Sequence, residues 1–366
     1  MTSAPNPPLP TPARLDRRSA TTLGVALLLL VALTLWRLPS DAAATVHDFV
    51  GMTMGTSFSV RIDGDLTAAG RETVRDVIQS RLDRVEELMS TYDSASELSR
   101  FNRHDTTDPF AASGALLDVL AMAREVSERS DGAFDVTVAA LVDAWGFGPG
   151  GRPERAPDQT LIDELGARVG YERIVLDHDA GTVSKTIPEA VVDLSAIAKG
   201  YGVDRVASGL EELGLTSYLV EVGGELKAAG AKRDGTPWRV GVEGPDVAAR
   251  AVYATLDLVD QAIATSGDYR SFYDEEGARY AHIIDPRSGR PIRYAGASVS
   301  VVHRDCAMAD GWATALSVLG PEDGYDLALR EGIAALFVMQ SPDGFHSRAT
   351  PAFLERVDTY TEVVTR

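Results

Sequence analysis

Hydrophobic and polar positions alternate with two periods along this chain. Phe49 to Ile62 predicts strands broken at Gly55-Thr56-Ser57, after which Phe58, Val60 and Ile62 alternate cleanly with polar neighbours. Val74, Val77, Ile78, Leu82, Val85, Leu88 and Met89 fall at helical spacing, and that run stops at S-T-Y-D, residues 90–93. A second helix carries Leu116, Leu117, Leu120, Ala123 and Val126, with Gly132 suited to its end. Ile174–Leu176 and Thr182–Thr186 predict a hairpin across residues 178–181. Tyr218–Val222, Trp238–Val242, Val252–Leu258 and Ser298–Val302 read as strands, and Cys306–Leu319 as a helix. Strands and helices mix without strict alternation, so the expected class is α/β (α+β) with a mixed, largely antiparallel sheet.

The stretch Val191–Asp204, V-V-D-L-S-A-I-A-K-G-Y-G-V-D, changes period within itself. It begins β-branched, with Asp193 where a strand would give out, and continues as a helix closed by Gly214, with Ser195 as its expected cap. Lys199-Gly200 near a helix start suggests a phosphate site, because backbone N–H groups point outward there and the lysine adds charge. An ordinary strand–turn–helix with a solvated lysine is the plainer alternative.

Residues 1–18 are Pro-rich and then basic, and Ser19–Trp36 is an uncharged apolar run. Basic-before-apolar order predicts a cytoplasmic leader, then either a cleaved export signal or an uncleaved inner-membrane anchor at 19–36, with the bulk outside the cytoplasm. A linker at 37–47 and one large domain at 48–366 follow. Cys306 is the only cysteine of the 366 residues, which excludes an intrachain disulfide, a Cys-based zinc site and a lipoprotein anchor. The formal net charge of −19 argues against a nucleic-acid partner. An anionic ligand would therefore need local donors or a metal ion.

Asp310 and Thr314 stand four apart on the Cys306–Leu319 helix, which puts a carboxylate and a hydroxyl on one face. Both are hard oxygen donors of the kind magnesium takes while bridging to phosphate. His282, expected in a strand beside Asp285, has the chemistry of a general base near neutral pH, although a structural histidine is the commoner case. The literal G-x-G-x-x-G at 146–151 is a loop rather than a dinucleotide fingerprint. Pro149 removes a donor inside it, and Arg152-Pro153 follows where a helix should start.

Taken in order, M-G-T (54–56), S-T-Y-D (90–93), S-x-L-S-x-F-N (96–102) and G-A-F-D (132–135) recur with W-G-F-G (145–148) and V-D-L-S-A-I-A-K-G (192–200). G-G-E (223–225), T-S-G-D-Y (265–269), H-I-I-D-P (282–286) and A-D-G-W-A-T (309–314) complete the series. Together they resemble the ApbE family of magnesium-dependent FAD:protein FMN transferases, over residues 48 to 340. The resemblance implies a two-lobed, T-fold-like domain with FAD between the lobes. It implies that the pyrophosphate of FAD is cleaved, AMP is released, and FMN is joined to a threonine or serine of an acceptor protein, by family a membrane electron-transport subunit. Carried over, Met54, Tyr92, Ala133, Phe134, Asp135, Asp193, Lys199 and Ile284 would contact FAD. The Ala196 carbonyl, the Asp310 carboxylate and the Thr314 hydroxyl would hold magnesium, and His282 would be the base. Ser195-Ala196 stands where relatives often carry two glycines, and Ala281 where many carry a second histidine. Hydrolysis of FAD to FMN and AMP, or flavin binding without turnover, are the alternatives that the residues leave open.

Overall fold

The computed structural model describes residues 46–363 except 154, 245–251, 268–271, 276–277, 293–296, 342–343 and 358. The leader, its apolar run at 19–36, and Asp268-Tyr269 of the hydroxyl-rich motif lie outside the described residues. Among those described, no helix is long and apolar enough to cross a membrane.

An eight-stranded sheet runs through the molecule in strict chain order. Its strands are β1 (Val46–Thr53), β2 (Thr56–Asp63), β3 (Tyr218–Val222), β4 (Glu225–Ala229), β5 (Gln261–Gly267), β6 (Ala297–His303), β7 (Ala334–Ser341) and β8 (Gly344–Ala349). Every pairing among the described strands is antiparallel, so the expected class holds and the sheet contains no parallel pair there. Most other elements are insertions in this meander, and the helix Pro351–Arg356 and the strand Tyr360–Glu362 follow its last strand. Helices α1 (Ala68–Met89), α2 (Gly114–Arg129) and α3 (Ser195–Glu212) lie between β2 and β3, and α4 (Cys306–Glu331) lies between β6 and β7.

Alternation assigns the two faces. On β3, Tyr218, Val220 and Val222 pack with Val74, Ile78 and Leu82 of α1 and with Val203, Val206 and Leu210 of α3. Leu219 points the other way, into a core shared with Trp238, Val240, Leu256 and Phe353. That second face is covered by a small sheet of Trp238–Glu243, Val252–Leu258 and Tyr360–Glu362. Burial of these faces is the main stabilising contribution, at roughly 25 cal/mol per Å² of apolar surface removed from water.

The first turn sits one residue earlier than the sequence suggests. Met54 and Gly55 form a two-residue connection with φ of 47° and 71°, the left-handed pair that such a hairpin needs. Glu86 of α1 holds this turn by accepting from the Met54 N–H and from the Thr53 hydroxyl. Strand β1 begins at Val46, inside the segment expected to be linker.

Residues 190–194 form no strand, contrary to expectation. Helix α3 starts at Ser195, and Ser195 is not its cap: the Asp193 carboxylate accepts the Ser195 N–H at 2.8 Å. The far end behaves as predicted. The Gly214 and Leu215 N–H groups return to Glu211 and Leu210, with Gly214 at φ 76°. Strands β4, β7 and β8 and the second half of α4 go beyond the sequence reading. Gly320-Pro321 kinks α4 at φ 81°, where a break in the pattern would be read as the helix end.

Candidate active site

A cavity of about 410 Å³ opens where α3, α4 and the ends of β4 and β5 meet the loops at 133–149 and 282–286. The first group belongs to the main body. Part of the second packs in two small clusters, one around Ala133 and Ile283 that Val318 of α4 joins, and one around Trp145 and Ile284.

Eleven of the twelve residues predicted for the site line this cavity: Tyr92, Ala133, Phe134, Asp135, Asp193, Ala196, Lys199, His282, Ile284, Asp310 and Thr314. Met54 is the exception. A Cβ on Gly202 would lie 2.7 Å from its terminal methyl, so the side chain is packed against α3 rather than set in the wall.

The charged end is built from two helices and a strand. Helices α3 and α4 touch at Gly200, where a Cβ would lie 2.4 Å from the Cys306 carbonyl oxygen. That approach lets the Gly200 N–H donate to Asp310 Oδ2 at 3.1 Å. Lys199 Nζ lies 3.2 Å from Glu225 Oε1 and 3.7 Å from Asp310 Oδ2. Burial pushes the Asp310 carboxyl up to about 7 despite the pull of Lys199, and the Glu225 carboxylate adds to the rise. Burial alone would lower the Lys199 ammonium, but Asp310 and Glu225 outweigh it and hold the pKa above its ordinary value.

Two expectations are corrected here. Lys199 stands in the second turn of α3 rather than at its start, with its half-buried side chain engaged by two carboxylates. Several N–H groups of that region already have acceptors. Ser195 donates to Asp193, Ile197 to Leu194 and Gly200 to Asp310. Glu225 was given no role by sequence reasoning. The G-G-E motif was its signal: the Gly223-Gly224 turn, φ 63° and 110°, delivers a buried carboxylate at the start of β4.

The opposite wall is made of loops. Asp135 caps the short turn Val136–Val138, accepting from the Thr137 N–H at 2.8 Å and hydroxyl at 2.6 Å, and burial raises its pKa against those bonds. The Asp193 N–H donates to the Val136 carbonyl at 2.7 Å, which ties this loop to the entry of α3. Burial raises the Asp193 carboxyl too, against the bonds from Ser195. Phe134 is buried, with its edge towards Gly311, whereas Tyr92 is 74 % exposed. His282 lies in a bend between strands rather than in one, edge-on to the Phe147 ring at 6.4 Å between centroids. The 146–151 segment is a loop, as expected, pinned by the Gly150 N–H donating to Asp143 at 2.6 Å. Among the described residues no cluster of three His, Cys, Asp or Glu is placed to hold a metal.

The cavity thus has a carboxylate–lysine–carboxylate cluster at one end and ring-bearing loops at the other. The chain belongs to the ApbE family, whose model matches residues 54–337. It is 43 % identical over 311 residues to the FAD:protein FMN transferase of Vibrio cholerae, covering 85 % of this chain and 92 % of that one. It is 37 % identical over 318 residues to the FAD:protein FMN transferase of Escherichia coli K12, covering 86 % and 90 %. The solved flavin transferase ApbE from Vibrio cholerae superposes with a TM-score of 0.78 at 42 % identity, covering 86 % of this chain and 99 % of that one. The ApbE protein of Thermotoga maritima gives 0.76 at 28 % identity, covering 85 % and 99 %. These relatives bear out the expected family, fold and transferase class.

Proposed function

We propose that this protein is a magnesium-dependent FAD:protein FMN transferase that joins FMN to a threonine or serine hydroxyl of an acceptor protein and releases AMP. The observation that carries the reading is the convergence of His282, Lys199, Asp310 and Thr314 on one cavity.

The donor set fits magnesium. Asp310 and Thr314 offer a carboxylate and a hydroxyl one turn apart, and Ala196 offers a carbonyl on the helix that α4 touches at Gly200. When bound, the ion would supply positive charge to the diphosphate and to the departing AMP oxygen. The protein's own groups do the rest. Lys199 brings a fixed positive charge to phosphate oxygens, held by Glu225. Phe134, Ala133 and Ile284 supply apolar wall for the flavin, and Tyr92 an exposed ring at its edge. His282 takes the proton of the acceptor hydroxyl. That oxygen bonds to the FMN phosphorus, the bond from this phosphorus to the bridging oxygen breaks, and the oxygen leaves with AMP.

The basic-then-apolar order of residues 1–36 supports a reaction on the outer face of the inner membrane, with an electron-transport subunit there as acceptor. The test is to incubate the protein with FAD, magnesium and a threonine-bearing acceptor, then run denaturing electrophoresis. A fluorescent acceptor band is expected. Free FMN without a labelled band would leave only the hydrolase, and unaltered FAD would leave only a flavin-binding protein.

A further inference from the structure

Two carboxylates reach across the crossing of α3 and α4 to the opposite helix, and the proposed reaction uses only one. Asp310 of α4 accepts the Gly200 N–H of α3 at 3.1 Å. Asp204 of α3 accepts the Ala307 N–H of α4 at 3.0 Å. The bonds run in opposite directions, with the Gly200 contact between them: a Cβ there would meet Ala307 Cα at 2.9 Å. Asp305, the residue at the start of α4, makes no side-chain cap. Asp204 therefore caps α4 from another helix, at the second N–H, which its own sequence leaves open.

Asp204 is itself held. Lys227 Nζ lies 2.6 Å from its Oδ1, with both side chains largely buried. Lys227 is two residues along β4 from Glu225, which holds Lys199. The arrangement at Asp310 (backbone N–H, lysine, support from β4) is thus repeated at Asp204, without access to the cavity.

We infer that Asp204, held by Lys227, is a positioning residue that sets the distance between the Ala196 carbonyl on α3 and the Asp310–Thr314 face of α4. This rests on the cation site proposed above. Asp310 is three residues from Ala307, less than one turn, so loosening the start of α4 displaces it directly. Groups that orient metal ligands without touching the metal typically alter affinity about 10–100-fold. A role in folding alone would lower the melting temperature and leave the affinity of the folded protein unchanged.

The experiment titrates Mn²⁺ into the FAD-loaded protein and reads free Mn²⁺ by electron paramagnetic resonance, with folding checked by thermal melts. Asp204→Asn keeps the side-chain shape but removes the charge that Lys227 pairs with. It is expected to weaken Mn²⁺ binding at least tenfold, while FAD affinity in EDTA stays within twofold. Lys227→Met is expected to weaken it at least threefold, and Lys227→Arg to restore it to within twofold. If Asp204→Asn does not fold, the Lys227 variants decide. Affinities within twofold of wild type in folded Asp204→Asn or Lys227→Met, with binding lost in Asp310→Ala, would overturn the inference alone. Wild-type Mn²⁺ affinity in Asp310→Ala would remove the cation site and the inference with it.

Discussion

The two ends of the cavity are built by different means. Lys199, Glu225, Asp310 and Thr314 stand on two long helices and a strand of the central sheet, locked where glycine lets two backbones touch. Tyr92, Phe147 and His282 come from loops and bends, and Tyr92 is largely exposed. In the proposed function, charge chemistry explains the contrast. Groups that meet a diphosphate work best when already fixed, because reorganising buried charges costs most where water is excluded. A flat ring needs surface more than exact angles, and loops supply that. Changes at the helical end should therefore disturb chemistry and stability together, whereas changes at the loop end should disturb one function each.

The largest effect is expected from Asp310→Ala. Removing the only carboxylate of the proposed cation set should lower acceptor labelling at least ~10³-fold, several kcal/mol of lost charge stabilisation, measured in magnesium-limited buffer. Labelling at the wild-type rate would remove this end from the chemistry. His282→Ala should lower transfer about 10²–10⁴-fold, the span of one general base, while flavin fluorescence titration shows unchanged FAD affinity. Loss of FAD binding would make His282 part of the binding wall instead. Gly200→Ala sharpens the contrast through stability. Its methyl would meet backbone, not flexible side chain, so a loss of about 3 kcal/mol is expected in urea unfolding. An unchanged midpoint would mean that the crossing is not tight. The smallest effect belongs to Tyr92→Ala, which should weaken FAD by about 1 kcal/mol and leave the urea midpoint in place.

The same contrast governs what could be read from sequence. Alternation placed β2 and β3, helical spacing placed α1, α2 and the start of α4, and four-residue spacing put Asp310 and Thr314 on one face. These are local signals. The Lys199–Glu225 pair joins residues from a helix and a strand, which no period reveals, so the carboxylates that engage Lys199 were not legible. Asp193 read as the end of a strand because Val191 and Val192 are β-branched. Their backbone instead leads into α3 without pairing as a strand, tied to Asn102 through the Val192 N–H at 2.8 Å. The Gly320-Pro321 kink hid the rest of α4, since both residues are stop signals in a linear reading. His282 was legible as chemistry but not as geometry, because a bend between two short strands carries no pattern of its own.

In the proposed function the helical end of the cavity grips the diphosphate through a divalent ion while the loop end takes the flavin ring. A crystal grown with FAD and Mn²⁺, read by anomalous scattering, tests it most directly. One peak is expected among the Asp310 carboxylate, the Thr314 hydroxyl and the Ala196 carbonyl, with the isoalloxazine between Tyr92 and Phe134. A peak elsewhere, or a flavin ring lying against Lys199 and Glu225, would contradict it.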